Sequence, residues 1–301
     1  MNDPVLPAWV LGETSVTRIV ESEEPLLSPF EVFPDCRAVH LAENASWLIP
    51  KFYDPVSELL VISIQSFVIR TGGLTILVDT CTGEGKDRAR PRFDQRTWPW
   101  LERLRAAGVE PEAVDLVMCS HLHVDHVGWN TRRENGRWVP TFPNARYLIA
   151  RGEWEFWQRE SRATGLPRTG DYIADSVLPI FDAGQADLID PDFGIASTFW
   201  LEPAPGHTPA HFAIHVSDGG KELILSGDLM HHPLQLRYPH WSTRFCADPE
   251  LARATRAAFL ATYAGSRTAI VPAHFPSPSG IFIERAGEHY GFSFCGERSS
   301  M

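Results

Sequence analysis

Residues 121–126 read HLHVDH, so three imidazoles and one carboxylate stand within six positions that apolar residues flank. Imidazole nitrogen and carboxylate oxygen are ligands that zinc and similar divalent ions prefer. Side chains two positions apart point the same way along an extended segment, so His121 and His123 can hold one ion. A tightening turn would then aim Asp125 and His126 at a second ion. The stretch therefore predicts a dinuclear metal site.

Apolar runs before the motif predict the strands that carry it. Residues 59–79 read LLVISIQSFVIRTGGLTILVD, two runs rich in Val and Ile that are joined by TGG at 71–73, which is a hairpin signal. Residues 114–120 (VDLVMCS) form a short buried strand that ends at His121. Asp79 ends the hairpin at the same edge, where we expect it either to hydrogen-bond a ligand imidazole or to cap the strand in solvent.

The rest of the chain alternates between strands and helices. Further strands are predicted at 147–150, 198–201, 211–216, 222–225 and 268–271, and helices at 98–107, 152–159 and 249–263. The second half thus repeats the order of the first. This predicts an α+β fold, an αββα sandwich of two mixed β-sheets with outer helices. We expect a single domain over residues 1–301, in which residues 1–55 form a proline-rich N-terminal arm.

The motif resembles the HxHxDH signature of the metallo-β-lactamase superfamily, and the resemblance spans about residues 66–275. Matching segments are SFVIRTGGLTILVDT at 66–80, residues 142–154, PGHTP at 205–209, SGD at 226–228 and PAH at 272–274. The resemblance implies this superfamily's fold and two metal ions joined by a hydroxide. It assigns one metal to His121, His123 and His207, the other to Asp125, His126 and His274, and both to Asp228 as the bridge.

The residues around the later ligands agree with that assignment. Gly206 precedes His207 and Gly227 precedes Asp228, positions at which a tight turn must bring backbone close to a ligand. Two dications beside Asp125, Asp228 and one hydroxide leave a small positive charge, which attracts a carbonyl or phosphoryl oxygen and the anion that develops on it.

His231 stands three positions after Asp228. In lactonases of the superfamily a tyrosine commonly stands there, and in some phosphotriester and ester hydrolases a histidine does, so this chain departs from the simple acyl-homoserine lactonase pattern. His231 is predicted either to donate to a substrate oxygen or to hydrogen-bond a ligand. His211 and His215 are predicted to pack or to hydrogen-bond ligands.

The predicted function is metal-dependent hydrolysis. A hydroxide shared by two metal ions attacks an ester, a lactone or a phosphotriester of a small, largely apolar substrate, while one metal polarises the oxygen that becomes negative. Asp125 or a metal-bound water then returns a proton to the leaving group, so Asp125 and His231 are the predicted catalytic residues. Zn²⁺ is the expected metal, with Mn, Fe and Co as alternatives.

Two other functions share parts of this pattern. A glyoxalase-II-like thioesterase would have the same ligands, but it would normally carry a basic C-terminal patch, and residues 284–298 are mixed in charge. A non-catalytic metal-binding scaffold is the alternative from a different class. Such members commonly lose ligands, whereas all seven are present here.

Composition bounds the partners and the compartment. The net charge of -11 argues against nucleic acid and anionic membranes as partners. The five cysteines are odd in number and never spaced as CxxC, and residues 1–13 do not read as a signal peptide, so we expect a cytoplasmic protein. A small-molecule substrate is the expected partner, and a homodimer is compatible with the sequence.

Aromatic residues near the motifs suggest an apolar substrate pocket. The candidates are Trp129, Trp241, Phe275 and Phe282. Packing in the core or in a dimer contact is the alternative for each.

Overall fold

The computed structural model describes residues 8–195, 198–287 and 289–295. The strands are β1 Ala8–Leu11, β2 Thr14–Leu27, β3 Tyr53–Asp54, β4 Leu59–Thr71, β5 Leu74–Val78, β6 Leu116–Met118, β7 Thr131–Glu134, β8 Arg137–Pro140, β9 Arg146–Ala150, β10 Ala186–Ile189, β11 Gly194–Ile195, β12 Phe199–Pro203, β13 Phe212–Asp218, β14 Lys221–Gly227, β15 Ala269–Pro272, β16 Ile281–Ala286 and β17 His289–Phe294. The α-helices are α1 Pro29–Val32, α2 Ala38–Glu43, α3 Ala45–Leu48, α4 Trp100–Ala106, α5 Arg151–Thr164, α6 Tyr172–Ser176, α7 Leu178–Asp182, α8 Leu234–Arg237 and α9 Pro249–Tyr263. Short 3-10 turns lie at Pro111–Ala113 and Gly128–Asn130.

Two large mixed sheets organise these elements. The first has the order β1-β2-β4-β5-β6-β9-β10, with β3 paired to β4, and the second has the order β11-β12-β13-β14-β15-β16-β17. In the first, β4 and β5 are antiparallel while β5, β6, β9 and β10 run parallel. In the second, β14 and β15 are parallel and β16 and β17 antiparallel. The predicted α+β class with two mixed sheets is confirmed.

The chain divides into two compact units. Unit 1 comprises the described residues up to Glu21, residues 64–193 and residues 218–220. Unit 2 comprises the described residues of 22–63, of 194–217 and from Lys221 onward. The single domain expected from the sequence stays a prediction.

Several predicted elements are confirmed with shifted bounds. The hairpin of β4 and β5 turns between Thr71 and Leu74, as the sequence predicts. Helix α4 begins at Trp100, two residues later than predicted, because Pro99 occupies the N-cap position. Helix α9 begins as predicted, and the Asp248 side chain caps it by accepting a hydrogen bond from Leu251 N at 3.0 Å.

The structure also contains strands that the sequence analysis did not assign. β2 is a 14-residue strand inside the segment predicted as an N-terminal arm. Its start is held by the Asp218 carboxylate, which accepts hydrogen bonds from Glu13 N and Thr14 N at 2.8 and 3.0 Å. Its pairing with β1 and β4 places the strand in the first sheet, and its residues up to Glu21 belong to unit 1.

The apolar residues of the HLHVDH motif anchor it in the core of unit 1. Leu122 and Val124 of the motif and the adjoining Val127 are at most 8% exposed and pack in a cluster with residues of β9 and α6. Burial of each such side chain contributes roughly 1.5–3 kcal/mol. Packing of Leu122 and Val124 in this cluster fixes the backbone that carries the histidines of the motif.

None of the helices in the described ranges is long and apolar enough to cross a membrane.

Candidate metal centre

The motif of unit 1 directly follows β6 and forms a tight turn. The ring centroids of His121 and His123 lie 4.6 Å apart, and those of His121 and His126 lie 4.1 Å apart. The ligand atoms of His121 and His123 lie within 4.8 Å of each other, and Asp125 Oδ1 lies 3.9 Å from His126 Nε2. The structure therefore groups these four predicted ligands as two adjacent pairs.

Asp79 orients one imidazole of this group. Its carboxylate accepts hydrogen bonds from Ser120 N at 2.7 Å, from Ser120 Oγ at 2.9 Å and from His126 Nδ1 at 2.8 Å. The predicted bond between Asp79 and an imidazole of the motif is confirmed. Because a carboxylate accepts only, the proton lies on Nδ1, and Nε2 is the atom that can coordinate a metal.

Close backbone contact fixes the two loops that carry Asp79 and His126. Thr80 N donates to His126 O at 2.8 Å, and Gly128 N donates to Cys81 O at 2.7 Å. A Cβ atom on Gly128 would lie 1.9 Å from the carbonyl carbon of Thr82. Only glycine allows this approach, so the glycine after the motif is a steric requirement.

A second buried carboxylate, which the sequence analysis missed, supports the motif from α5. Glu153 accepts a hydrogen bond from Leu122 N at 3.1 Å and one from Trp157 Nε1 at 2.9 Å. The Trp157 ring stands edge-on to His123 with centroids 5.0 Å apart. The spacing of Glu153 and Trp157, one helical turn, was the available sequence signal.

In unit 2, three imidazoles converge on Asp228 directly after β14. His207 Nε2 and His231 Nε2 lie 3.1 and 3.2 Å from Asp228 Oδ2, and His274 Nε2 lies 3.0 Å from Asp228 Oδ1. All four side chains are buried. Buried imidazoles and a carboxylate that share one point fit a divalent cation, since these are its preferred donors and its charge offsets the buried carboxylate.

Backbone and side-chain partners set the orientation of these rings. His274 Nδ1 donates to Ser63 O at 2.9 Å, so its Nε2 faces Asp228. His207 Nδ1 contacts Cys246 Sγ at 3.7 Å, a partner that the sequence analysis missed. Each contact leaves Nε2 as the ligand atom.

A tight turn brings His207 into place. Gly206 has φ of 123°, and a Cβ there would lie 2.2 Å from Ala252 N at the start of α9. The backbone of this turn holds the loop before the helix, because Asp248 N donates to Gly206 O at 2.9 Å. The predicted turn before His207 is confirmed.

Burial and the Asp228 carboxylate act in opposite directions on the neighbouring histidines. Burial by itself lowers the pKa of His207. The combined effect of the Asp228 carboxylate and the Cys246 thiol outweighs burial and raises the pKa to about 9. Burial dominates at His231 and lowers its pKa to about 4 despite Asp228. His231 is therefore a neutral ring at physiological pH.

Two further histidines, His211 just before β13 and His215 within it, have both ring nitrogens in hydrogen-bonding contacts. His211 Nδ1 donates to Ala204 O at 3.1 Å, and its Nε2 accepts from Asp228 N at 2.9 Å, so His211 positions the backbone of Asp228. His215 lies between Glu202 and Glu222, with nitrogen-oxygen distances of 2.7 and 3.0 Å. The predicted hydrogen-bonding role is confirmed for His211, whose partner is the backbone of Asp228. For His215 the packing alternative is confirmed, because its ring stacks on Trp200 with ring centroids 4.7 Å apart.

The aromatic candidates for the pocket take a different place from the one proposed. Trp129 stacks on Trp100 with ring centroids 5.4 Å apart, and Trp241 stacks on Tyr238 at 4.2 Å. Both tryptophans and Phe275 are buried, which favours the core alternative, because long-range packing decides burial and composition does not. Phe282 is half-buried. The rings beside predicted site residues are instead Trp157 and Phe245, the latter 6.2 Å from His231.

The family described as Metallo-beta-lactamase superfamily matches residues 60–289.

Curated relatives are N-acyl homoserine lactonases by name. One from Bacillus sp is 26% identical over 166 residues, which cover 51% of this chain and 58% of that protein. AttM of Agrobacterium fabrum is 28% identical over 214 residues, which cover 64% of this chain and 72% of that protein. The chain spans about half the length of the first curated relatives that it matches.

Solved structures share the fold over nearly the whole chain. The hydrolase AbOPH, described as in the beta lactamase superfamily, has a TM-score of 0.80 at 24% identity and covers 96% of this chain and 97% of its own. AidC, described as a dizinc quorum-quenching lactonase in complex with the product N-hexnoyl-L-homoserine, has a TM-score of 0.77 at 24% identity, with 97% of each chain covered. At this identity the likeness shows the fold alone, and it is the fold that the sequence predicts.

Proposed function

The chain belongs to the Metallo-beta-lactamase superfamily, and we propose that it is a metal-dependent hydrolase that opens a lactone or cleaves a related ester of a small, largely apolar molecule. The observation that carries the proposal is the convergence of buried imidazole Nε2 atoms on one carboxylate. His207, His231 and His274 all lie 3.0–3.2 Å from an oxygen of Asp228. Such a group of donors is costly to bury without a cation.

The metal-binding proposal extends to two ions. His121, His123 and His207 would hold one ion, Asp125, His126 and His274 would hold the other, and Asp228 would contribute to both. The orientation of His126 by Asp79 and of His274 by Ser63 supports this, because each leaves Nε2 for coordination. Imidazole and carboxylate donors favour Zn²⁺, and AidC is described as dizinc.

Two divalent ions bound there supply an acidified water as the nucleophile and polarise the substrate's reacting oxygen. The remaining tasks belong to this chain's own side chains. Asp125 is 22% exposed, which makes it the most accessible carboxylate of the ligand set, and we assign it the return of a proton to the leaving group. His231 is neutral, and its N–H donates to a substrate oxygen without adding a charge.

An apolar acyl or alkyl group is the proposed non-reacting part of the substrate. The half-buried ring of Trp157 stands beside His123, and the half-buried ring of Phe245 stands near His231. Each offers an apolar surface next to a proposed site residue. The curated relatives named N-acyl homoserine lactonase support a lactone with such a group.

A phosphotriester is the second candidate substrate. The observation that favours it is the position of His231 beside Asp228, where the superfamily's lactonases commonly carry a tyrosine. An imidazole is a shorter donor than a phenol, so it leaves room for a tetrahedral phosphoryl centre. A thioesterase and a non-catalytic scaffold stay as weaker alternatives. We also propose a cytoplasmic location, which is inferred from the cysteine spacing.

Hydrolysis of a substrate panel tests the proposal. Zinc-loaded protein is assayed on a γ-lactone, a long-chain acyl-homoserine lactone, an aryl ester, a phosphotriester and a glutathione thioester. The variants are His123→Ala and, as a matched control, His240→Ala, because His240 is an exposed histidine. We expect activity on the lactones that chelation and His123→Ala abolish and that His240→Ala retains. Inactivity on all five substrates with two zinc ions bound would overturn the hydrolase proposal.

A further inference from the structure

Glu21, a residue of β2, is completely buried in unit 1 and faces three N–H groups. Its carboxylate accepts hydrogen bonds from Thr82 N and Gly83 N at 3.0 Å each and from Trp129 Nε1 at 2.8 Å. Burial of a carboxylate costs free energy unless hydrogen-bond donors meet it, so the three donors are needed to stabilise Glu21 in this position. Burial raises the pKa of Glu21 to about 7, while all three donors favour the ionised form.

The three donors belong to two neighbouring loops. Thr82 and Gly83 end the loop 79–83, which follows β5, and Trp129 ends the segment 126–129, which follows the metal motif. Backbone hydrogen bonds join the two, because Trp129 N donates to Thr80 O at 2.7 Å and Thr80 N donates to the carbonyl of residue 126 at 2.8 Å. Glu21 thus holds both loops from a third segment of the chain.

The loop 79–83 needs such support. Asp79 and Cys81 have φ of 56° and 52°, the left-handed region that non-glycine residues rarely occupy. Each such residue costs of order 1–3 kcal/mol unless its surroundings fix it. The strained end of the loop is also the end that binds His126, through Asp79 Oδ2 and His126 Nδ1 at 2.8 Å.

We propose that Glu21 is a positioning residue for the metal ligand His126, an inference that rests on the proposed function. Its carboxylate holds the 82–83 end of the loop against Trp129, which keeps Asp79 in its left-handed conformation and the His126 ring in the tautomer that offers Nε2. Glu21 itself touches neither a metal nor substrate. Its predicted effect is on the affinity of the ion that His126 binds.

The test compares three variants of the full-length protein. Glu21→Gln keeps the size of the side chain but turns an N–H₂ group toward N–H donors. Trp129→Phe removes one donor and keeps an aromatic ring. Asp218→Asn is the matched control, because Asp218 also accepts backbone N–H groups of the first sheet, at the other end of β2.

Two measurements are made on each variant. Zinc affinity is titrated against a chromogenic chelator, and in the metal-free protein NMR reports the tautomer of His126 and the hydrogen exchange of the Thr82 and Gly83 amides. We expect Glu21→Gln to lower the affinity for one of the two zinc ions about 10-fold to 100-fold. Hydrogen exchange at both amides should be faster, and His126 should show a mixture of tautomers. Trp129→Phe should show the same changes in smaller measure, and Asp218→Asn should show neither.

The outcomes separate this inference from the proposed function. The inference would be overturned if both Glu21→Gln and Trp129→Phe kept the zinc affinities, the amide exchange rates and the His126 tautomer of the wild type. It would also be overturned if all three variants lost both zinc ions equally. If Glu21→Gln does not fold, Trp129→Phe decides. A wild-type protein that binds no second zinc would refute the two-metal proposal, while the metal-free exchange and tautomer would still test the contact.

Discussion

His126 Nδ1 donates a hydrogen bond to Asp79 Oδ2 over 2.8 Å, and each side chain is only 2% exposed. The two residues are 47 positions apart, so the bond joins the end of the β4–β5 hairpin to the end of the metal motif. The same carboxylate also accepts two bonds from Ser120. One acidic side chain therefore fixes both the ring of a proposed metal ligand and the backbone that leads into the motif.

Asp79→Asn tests this bond. An amide can accept from Ser120 N, but its N–H₂ group cannot accept the proton of His126 Nδ1, so the ring loses its fixed tautomer. We expect zinc affinity at one site to fall about 10-fold to 100-fold with little change at the other, measured by competition with a chromogenic chelator. Asp218→Asn is the control, because the Asp218 carboxylate accepts the backbone N–H groups of Glu13 and Thr14. Its zinc affinities should stay within a few-fold of wild type. An unchanged pair of affinities in Asp79→Asn would count against the orienting role.

The proposed choice between a lactone and a phosphotriester as substrate rests on His231. His231→Tyr places a phenol where the superfamily's lactonases commonly have one, and we expect the ratio of kcat/KM for a γ-lactone to that for a phosphotriester to rise about 10-fold. His231→Leu removes the donor altogether and should lower kcat on the preferred substrate about 100-fold, the usual effect of losing one donor to a developing anion. Steady-state kinetics on both substrates provides the measurement. Equal losses on both substrates in His231→Tyr would show that this residue does not select the substrate.

The close approach of two loops makes a stability prediction at Gly128. A Cβ atom there would meet the carbonyl carbon of Thr82 at 1.9 Å, and backbone cannot move aside as a flexible side chain can. We expect Gly128→Ala to lower the free energy of unfolding by about 3 kcal/mol or more, measured by urea denaturation. Gly291→Ala is the matched control, since its new Cβ would find its nearest neighbours at 3.9 Å, an ordinary contact. Similar losses in both variants would contradict the steric explanation, because only Gly128 has backbone in the way of the new Cβ and the entropy effect of Gly→Ala is stabilising.

Local patterns made much of the fold and of the site predictable. The hairpin, the strand before His121 and the capped helix at Asp248 depend on residues within a few positions of each other. The HLHVDH motif concentrates four donors in six residues, so its chemistry was visible without the fold. The resemblance to a known family then pointed to His207, Asp228 and His274 at greater distances.

The residues that support the ligands were not predictable in the same way. Glu21 lies in the run ESEE, which reads as a solvated charge cluster, and its partner Thr82 is 61 positions away. Cys246 is 39 positions from His207. Nothing in the sequence near Trp129 and Trp157 shows which ring is buried and which stands beside a histidine. Only long-range packing separates such cases.

The buried ring of His232 gives a prediction of how the stability of the protein depends on pH. The ring is completely buried, its Nε2 donates to Phe52 O at 2.9 Å, and its Nδ1 accepts from Leu234 N at 3.3 Å. Protonation would place a second N–H against that of Leu234. Burial lowers the pKa of His232 to about 4, below the ordinary value of 6.5 that applies to the unfolded chain. The folded state thus favours the neutral ring, and this contribution to stability is fully present above about pH 6.5 and is lost as the pH falls toward 4.

The contribution of His232 to the free energy of unfolding falls by about 2 kcal/mol between neutral pH and about pH 5. The side chain of the His232→Gln variant cannot be protonated in this range. The difference in free energy of unfolding between wild type and variant should therefore narrow by that amount as the pH falls. Urea denaturation of metal-free protein at each pH measures it, because chelation removes the separate effect of acid on the metal ligands. His240→Gln, at an exposed position, should keep a constant gap to wild type. Parallel curves for wild type and His232→Gln would mean that the ring is protonated in the folded state without cost, in conflict with the donor at Leu234 N.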